Sequence, residues 1–427
     1  MHVFWLVSMV LPQAALACGL SSASDVSGGW LTGQLTALQQ RKDLQLTVAC
    51  VDGRQKAALC GEREGVTYRI LPDSQEFAPL LQAIQPDLVH IWGTEYAAAA
   101  AMRDTAEALH IPTLVGIQGV MQDCAAHLCD GVPATYLHST PLDRALDRVI
   151  PGALLDKLQS NFDALAQSEA ALLGKARYVT GRTGFDRRAV SALAPGAQYF
   201  ACNETLRPLF YEGALWQARH FGRAPVLLLS QGNYPLKNLH TVLKALPAIL
   251  QRWPDAELRI AGWPPLDKGP LFRPLIDRLF PYQRYCRKLA DELGVAEHLH
   301  YTGPLDAAAM RQAYLDADVF ILPSLSENSP NSLGEAMLLG LPCVASRAGG
   351  IPDMMADGQE GLLYGEALDA DALAAAVTRV LSAPDGGAAL GLAARARALQ
   401  THAPAANAET LCGIYQTILQ EEPRESV

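Results

Sequence analysis

Short apolar runs alternate with helical patterns along this chain, and that alternation constrains its fold more than any other feature. Strand-like runs occupy residues 46–51, 88–92, 113–117 and 178–180, and the pattern restarts after Pro225 at 226–230, 257–261, 299–302, 319–322, 343–346 and 361–364. Strands separated by helices are the signature of a parallel α/β sheet. Two such series predict two doubly wound domains, joined near residues 203–224.

Length and composition agree with that prediction. The 427 residues exceed what one hydrophobic core normally supports. The hydrophobic fraction of 50% and the charged fraction of 18% fit a globular enzyme and exclude a disordered or collagen-like chain. A net charge of -10 argues against general nucleic-acid binding but leaves room for a local basic face. The nine cysteines are scattered and never spaced as CxxC, which fits a reducing compartment.

Both ends of the chain affect the predicted domain boundaries. The apolar run at 3–11 imitates a secretory signal but has no basic n-region, so we interpret it as a first strand that ends at Pro12. A last helix is expected at 405–419, after the second sheet is complete. We therefore predict an N-terminal domain at 1–203, a C-terminal domain at 204–395, and a C-terminal segment at 396–427 that packs back on the first domain.

The stretch 323–337 contains a predicted strand, loop and helix start in close succession. The apolar run at 319–322 indicates a buried strand. Ser329 can cap a helix, and Pro330 suits the first turn, where a missing N–H costs nothing.

Two carboxylates flank this helix start. Glu327 is placed in the loop and Glu335 on the helix. Between them, the free N–H groups near Asn331 and Ser332 face outward at the positive end of the helix dipole, which favours a phosphate. The arrangement is typical of a sugar-nucleotide pocket.

The same motif supports a resemblance to a known family. Its full pattern comprises Pro323, Glu327, Glu335, Ala336, Gly340, Pro342, Val344, Gly349 and Gly350. In these residues the chain resembles the retaining family-4 glycosyltransferases of the GT-B fold, and weaker similarities extend over most of the chain. The segments 181–187 and 202–207 are similar to those of polysaccharide-building transferases. The resemblance implies two doubly wound Rossmann-like α/β domains facing across a cleft, with the acceptor side first and the donor side second.

The resemblance also implies roles for residues of the second domain. Lys237, after the strand at 226–230, would bind the donor diphosphate, and Glu327 would face the donor sugar. These two are the candidate catalytic residues. Glu335 would accept hydrogen bonds from the ribose hydroxyls. The other donor-binding candidates of this domain are Asn331, Ser332, Gly334 and Gly232.

Residues of the first domain are implied in the same way. Gln118 and Arg182 are donor-binding candidates at predicted strand ends. Gly28 and Gly29 would let backbone N–H groups approach a phosphate or the acceptor closely.

At two positions the chain departs from the family pattern. Gly232 stands where the family usually has an arginine, so one positive charge is missing unless Arg182, Arg207 or Arg347 supplies it. Gln118 stands where family members often have a histidine, and an amide can donate and accept a hydrogen bond but cannot carry charge.

Several other polar residues have simpler explanations. We favour a structural role for His90 and a surface role for His127 and His138. The DxD triplets at 316–318 and 369–371 suggest a metal-dependent transferase, but the triplet at 316–318 precedes its strand and the one at 369–371 has the pattern of a helix start. We therefore expect no metal and no cofactor beyond the nucleotide-sugar substrate.

Residues 268–288 form a local basic face. They carry one acid, Asp277, interleaved aromatic residues, and the basic residues Lys268, Arg273, Arg278, Arg284, Arg287 and Lys288. This face could contact an anionic membrane that carries a lipid-linked acceptor. The alternative is a solvated helix face packed by its aromatic residues.

Together these features predict a cytoplasmic, metal-independent, retaining hexosyltransferase, peripheral at the inner membrane face. It would move a sugar from a nucleotide-diphosphate donor to a saccharide or lipid-linked hydroxyl acceptor in polysaccharide or glycolipid synthesis, and would not bind nucleic acid. One alternative is an epimerase or phosphorylase on the same fold. Another is an inactive nucleotide-sugar-binding protein, which the residues Gly232 and Gln118 motivate.

Overall fold

The computed structural model describes residues 1–21, 28–39, 41–218, 224–266, 268–269 and 271–422. Contacts divide the chain into two compact units. The first contains residues 1–121, 165–208 and the chain from Thr401 onward, and the second contains residues 122–164 and 209–400. The assignment of 122–164 to the second unit differs from the predicted boundary at residue 203. Part of the predicted linker, 219–223, lies outside the described residues.

Each unit is built on one sheet. The strands of the first unit are β1 (His2–Val7), β2 (Gln45–Val51), β3 (Leu59–Arg63), β4 (Val66–Leu71), β5 (Leu88–Trp92), β6 (Thr113–Gly116), β7 (Tyr178–Gly181) and β8 (Gln198–Ala201), in the order β3-β4-β2-β1-β5-β6-β7-β8. Those of the second are β9 (Val226–Leu229), β10 (Glu257–Ile260), β11 (Leu299–Tyr301), β12 (Val319–Leu322), β13 (Cys343–Ser346) and β14 (Leu362–Tyr364), in the order β11-β10-β9-β12-β13-β14. All pairs are parallel except the antiparallel pair β3–β4.

Helices connect the strands. They are α1 (Pro12–Ala17), α2 (Gly29–Leu38), α3 (Phe77–Ile84), α4 (Ala97–Ala108), α5 (Met121–His127), α6 (Ala134–Leu137), α7 (Pro141–Asp147), α8 (Leu155–Leu173), α9 (Gly184–Leu193), α10 (Leu239–Leu250), α11 (Arg273–Leu279), α12 (Pro281–Glu292), α13 (Ala307–Asp316), α14 (Asn331–Leu339), α15 (Ile351–Met354), α16 (Ala370–Leu381), α17 (Ala388–Thr401) and α18 (Pro404–Glu421). Among the described helices, none is both long and apolar enough to cross a bilayer.

The central strands are buried on both faces. Every residue of β9 and β12 is buried, as the uninterrupted apolar sequences of these strands require. Each predicted apolar run coincides with a strand to within two residues at either end, apart from the N-terminal run. That run does form β1, but β1 ends at Val7 rather than at Pro12, and Pro12 begins α1.

Three strands were not predicted, and all three lie toward the outside of their sheet. β3 and β4 form the antiparallel pair at one edge, and β8 closes the other edge. The exposed or half-buried residues of β3 and β8 lack the apolar run that marked the central strands. Edge strands have fewer neighbours to bury against, so their sequences carry a weaker signal.

The C-terminal helix α18 packs within the first unit. The Tyr415 hydroxyl accepts a hydrogen bond from Trp5 Nε1 at 3.0 Å and lies 2.7 Å from His90 Nδ1. Tyr415, Trp5 and His90 are fully buried. The contact therefore ties the last helix to β1 and β5.

Candidate active site

The loops after β9 and β12 bring together the two candidate catalytic residues of the second unit. Lys237 ends a 3-10 turn at Pro235–Lys237, and its ammonium donates a hydrogen bond to Glu327 Oε1. The same carboxylate oxygen accepts a hydrogen bond from Ser324 Oγ at 2.8 Å. The side chains of Lys237 and Glu327 keep 17% and 13% of their surface exposed, so the ion pair is shielded but reachable.

The charge of the pair is stabilised internally. Burial lowers the pKa of the Lys237 ammonium, but the Glu327 carboxylate, the Tyr234 hydroxyl and the hydrogen bond to Glu327 together raise it above its usual value. Lys237 Nζ also lies 5.9 Å from the centre of the Tyr234 ring. The lysine is therefore a fixed positive charge at the carboxyl edge of the sheet.

Asn238 positions the lysine. It is fully buried in a left-handed conformation with φ of 55°, where an asparagine is tolerated better than most residues. Its Nδ2 donates to the carbonyl oxygens of Pro323 at 2.9 Å and Ala367 at 2.7 Å. The amide thus joins the loop after β9 to those after β12 and β14.

A glycine turn positions the glutamate. The N–H of Gly350 donates to the Glu327 carbonyl oxygen at 2.9 Å. At Gly349, where φ is +54°, a Cβ would overlap that oxygen and lie 3.0 Å from the Glu327 carbonyl carbon. Only glycine permits this approach together with a left-handed backbone. The Gly-Gly turn of the motif therefore fixes the backbone of Glu327.

Helix α14 begins one residue later than predicted. Its N-cap is Pro330, with no side-chain cap, so Ser329 does not cap the helix. Proline suits this position because its extended backbone leads into the helix, and its carbonyl oxygen accepts from Leu333 N at 3.0 Å. The N–H groups of Asn331 and Ser332 precede the first intrahelical bonds, as expected for an anion site.

The remaining candidates on α14 are partly or fully buried. Glu335 is 5% exposed, and Gly334 is buried beside it. Within the described residues, Asn331 Oδ1 is buried without a hydrogen-bond partner. A buried acceptor with nothing to accept from is costly in a folded protein and is common where a ligand completes the site.

Gly232 is a packing residue in this structure. It is buried, and a Cβ there would lie 3.2 Å from side-chain atoms of Ile260 and Leu239. A side chain at this position would therefore require these neighbours to shift by a few tenths of an ångström. Glycine here fits the tight packing of this loop against β10 and α10.

The sequence did not reveal Asp123 and Cys124 as neighbours of the glutamate loop. Asp123, in the first turn of α5, accepts a hydrogen bond from the Ser326 hydroxyl, and Cys124 Sγ lies 3.6 Å from Ser326 Oγ. Burial raises the pKa of the Cys124 thiol to about 11, so it stays protonated at neutral pH. Asp123 is a single acidic residue between Gln122 and Cys124, so no sequence motif could have predicted its contact with the glutamate loop.

In the first unit, Arg182 contacts Gln118, but the Arg182 guanidinium is also bound by other groups of the protein. Arg182 forms an ion pair with Glu204, and both side chains are 5% exposed or less. It also donates to Gln118 Oε1 at 2.9 Å, to the Gln118 carbonyl at 2.7 Å and to the Ile117 carbonyl at 3.2 Å. Burial raises the pKa of Glu204, while the charge of Arg182 opposes the shift. The guanidinium is engaged by protein groups on several sides.

The other two arginines considered for the missing charge also have partners. Arg347 pairs with Asp357 at 2.7 Å. The Arg207 side chain packs so close to Gly29 that a Cβ at Gly29 would lie 2.5 Å from Arg207 Cδ. Gly28 is the left-handed N-cap of α2 with φ of 76°. The Gly28-Gly29 loop thus begins a helix against Arg207, and residues 22–27 before it lie outside the described residues.

The three histidines singled out in the sequence lie in positions that fit the structural or surface roles favoured for them. His90 is fully buried in the middle of β5, and its ring stacks on that of Trp92 with 3.9 Å between the ring centres. Burial holds the pKa of His90 well below its usual value. His127 is exposed and bonds to Asp130 at 2.7 Å. His138 lies just after α6.

One aspartate of each DxD triplet has a structural role. Asp318 Oδ2 accepts from Val226 N at 2.7 Å, which fixes the start of β9. Asp369 is the N-cap of α16 and accepts from Ala372 N at 2.9 Å. These backbone contacts give Asp318 and Asp369 structural roles.

Comparison with known proteins identifies a family match within the second unit. Residues 225–383 match the family described as Glycosyl transferases group 1. The chain is 32% identical over 185 residues to the GDP-mannose-dependent alpha-(1-6)-phosphatidylinositol monomannoside mannosyltransferase of Mycolicibacterium smegmatis, covering 42% of this chain and 44% of that protein. It is 51% identical over 119 residues to sulfoquinovosyl transferase SQD2 of Arabidopsis thaliana, covering 28% and 19%. The match thus spans less than half the length of these relatives.

Solved structures match over nearly the whole chain at low identity. Sucrose-phosphate synthase of Thermosynechococcus elongatus has a TM-score of 0.65 at 16% identity, covering 98% of this chain and 99% of that one. HepE of Anabaena in complex with UDP has a TM-score of 0.63 at 13% identity, covering 98% and 100%. The predicted fold is confirmed: the chain has the GT-B fold and carries, at residues 225–383, a domain of the group 1 glycosyl transferases.

Proposed function

We propose that this protein transfers a hexosyl group from a nucleotide-diphosphate-sugar donor to a hydroxyl acceptor in glycolipid or polysaccharide synthesis. The observation that carries the proposal is the Lys237–Glu327 ion pair, held at the carboxyl edge of the second sheet four residues before the start of α14. Ligands of α/β sheets bind at this edge. The group 1 match over the same residues supports the assignment.

The donor diphosphate would bind between the lysine and the helix start. Lys237 has three N–H donors, of which one reaches Glu327, and α14 adds the N–H groups of Asn331 and Ser332. Negative charge grows on the diphosphate as the sugar departs, and fixed donors stabilise that charge without reorganising. The neighbouring Glu335 would accept hydrogen bonds from the ribose hydroxyls.

We propose transfer with retention of configuration and without a side-chain nucleophile. The acceptor hydroxyl would form its bond to the anomeric carbon on the face from which the diphosphate departs. Its proton would pass to the leaving phosphate oxygen, which takes the electron pair of the broken bond. Glu327 accepts hydrogen bonds from Lys237 and Ser324, an arrangement that suits a residue orienting the sugar hydroxyls.

We further propose that the reaction needs no metal, because Lys237 and the start of α14 supply positive potential at the diphosphate. Activity that persists in excess chelator would support this part. Activity that disappears with chelator and returns with a divalent cation would contradict it, and would leave the transferase assignment intact.

The names of the relatives guide the choice of acceptor. The mannosyltransferase is named for a phosphatidylinositol monomannoside, and further relatives are D-inositol 3-phosphate glycosyltransferases. Inositol-containing glycolipids and inositol phosphates are therefore the first acceptors to test.

The test is calorimetric titration with UDP, GDP, ADP and their common sugars. We expect one nucleotide to bind selectively, and Lys237→Ala and Glu335→Ala each to weaken that binding. Lys244→Ala is the matched control, because Lys244 is an exposed lysine of α10. Absence of binding to any of these nucleotides would refute the proposal. Binding without product formation over the acceptor panel would favour the inactive binding protein instead.

A further inference from the structure

The second unit contains a large cavity outside the candidate active site. Its volume is about 610 Å³, within the range of ligand pockets in proteins. One wall comes from α6, α7 and the start of α8, and the other from α11 and α12. The lining includes Tyr136, His138, Arg273, Arg278, Arg284 and Lys288. We call this space the basic cavity.

The basic cavity is positive on a protein that is negative overall. Its lining contains four basic side chains and two acids, Asp143 and Asp277, an excess of two positive charges on a chain with a net charge of -10. Arg278 is paired with Asp143 at 2.8 Å, and Asp277 is paired with Arg287. Both acids are therefore already neutralised by arginines.

Two of the cations are not neutralised. Among the described residues, neither Arg284 nor Lys288 forms an ion pair. They are four residues apart on α12 and so lie on the same helix face. The Arg284 guanidinium lies 5.5 Å from the centre of the Tyr136 ring, which holds it in place without cancelling its charge. This pair is suited to an anionic group.

Exposed apolar side chains flank the basic cavity. Seven of the thirteen large apolar residues that are exposed in the described part of the chain lie in three described stretches, at 142–150, 263–266 and 271–272: Leu142, Val149, Ile150, Trp263, Leu266, Leu271 and Phe272. Their place in the chain puts two of them next to lining residues of the basic cavity: Leu142 directly precedes Asp143 on α7, and Phe272 directly precedes Arg273 at the start of α11. Leu266 is tied to α12, because its N–H donates to Gln283 Oε1 at 3.2 Å.

Cations bordered by exposed apolar side chains are the combination that binds a membrane interface. Basic groups attract anionic headgroups, and apolar side chains enter the boundary between headgroups and acyl chains. A soluble anion would need the cations but not the apolar side chains. The rest of this acidic protein would be repelled by an anionic surface, so contact must be local.

We propose that this face of the second unit binds the surface of a bilayer containing anionic phospholipid, with a headgroup phosphate held in the basic cavity by Arg284 and Lys288. The membrane site is separate from the proposed donor site and does not depend on transferase activity. On this proposal, the partner of the basic segment at 268–288 is the anionic phospholipid of the bilayer surface.

The test is vesicle flotation of the full chain without nucleotide. Vesicles of phosphatidylcholine alone are compared with an equimolar mixture of phosphatidylcholine and phosphatidylglycerol. We expect binding to the mixture only, falling as salt is raised. The variant Arg284→Gln/Lys288→Gln neutralises both cations and should weaken vesicle binding about 30-fold. This factor assumes that each basic residue near an anionic membrane contributes its usual share of the binding free energy.

The matched control is Lys42→Gln/Lys56→Gln, which removes two exposed lysines of the first unit and changes the net charge equally. A second variant, Val149→Ser/Leu271→Ser, tests the apolar side chains, which are 79% and 84% exposed and should not affect folding. It too should weaken binding. The proposal would be overturned if the protein bound neither vesicle type or bound both equally. It would also be overturned if the control variant lost as much binding as Arg284→Gln/Lys288→Gln. Unchanged thermal unfolding of the variants excludes loss of fold as the cause.

Discussion

Replacing Gly349 by alanine should disable the glutamate loop without removing any functional group. Gly349 has φ of +54°, and the added Cβ would overlap the Glu327 carbonyl oxygen and lie 3.2 Å from the Glu327 amide nitrogen. A left-handed backbone costs a residue with a Cβ about 1–2 kcal/mol. Overpacking against backbone adds about 1–3 kcal/mol. The expected loss in free energy of unfolding is therefore about 2–5 kcal/mol.

Two other glycines separate these contributions. Gly358 has φ of +73° and nothing within 4 Å of an added Cβ, so Gly358→Ala should show the backbone cost alone. Gly365 has neither a positive φ nor a close neighbour, so Gly365→Ala should stay within about 1 kcal/mol of the parent protein.

The stabilities are compared as urea midpoints under identical conditions. Nucleotide affinity is measured by calorimetry on the same samples. We expect Gly349→Ala to be the least stable of the three and the only one with markedly weakened donor binding, because it shifts Glu327. If Gly349→Ala were as stable as Gly358→Ala and bound nucleotide normally, the proposed role of the Gly-Gly turn would be wrong.

Three further predictions concern the first unit. Burial raises the pKa of Glu169 from 4.5 to about 7, so its stabilising contribution is fully present below about pH 4.5 and is lost as pH rises through 7. Glu169→Gln should therefore remove this pH dependence of the urea midpoint between about pH 4.5 and 7. Tyr415→Phe leaves the buried His90 without its hydroxyl partner and should cost about 1–3 kcal/mol in urea unfolding. Arg182→Ala leaves the buried Glu204 carboxylate unpaired and should cost about 3–5 kcal/mol, whereas replacing the exposed Arg188 should cost little.

The motif around Glu327 and Glu335 was largely predictable from the sequence because its parts are close together in the chain. Glu327, Pro330 and Glu335 lie within nine residues, and the helix start that they predicted is shifted by only one residue. Lys237 is ninety residues away, and only the packing of β9 beside β12 places its ammonium on Glu327. The sequence could assign the lysine to a strand end but could not assign it a partner.

Residues whose roles depend on distant contacts were harder to predict. Arg182 stands at a predicted strand end, like a ligand residue, yet its partners Glu204 and Gln118 come from other parts of the chain and occupy it. Asp123 reaches the Ser326 hydroxyl only because residues 122–164 fold with the second unit. Neither contact leaves a pattern in the local sequence.

The sequence by itself determined the two α/β sheets, because strands buried on both faces require continuous apolar runs. It also determined the start of α14 to within one residue, because capping and backbone rules act over a few residues. Tertiary structure decided the unit to which residues 122–164 belong, the engagement of Arg182, and the meeting of Tyr136, Arg284 and Lys288 at the basic cavity. These outcomes depend on which distant side chains pack together, and the free energy of that packing is a property of the folded chain rather than of any local segment.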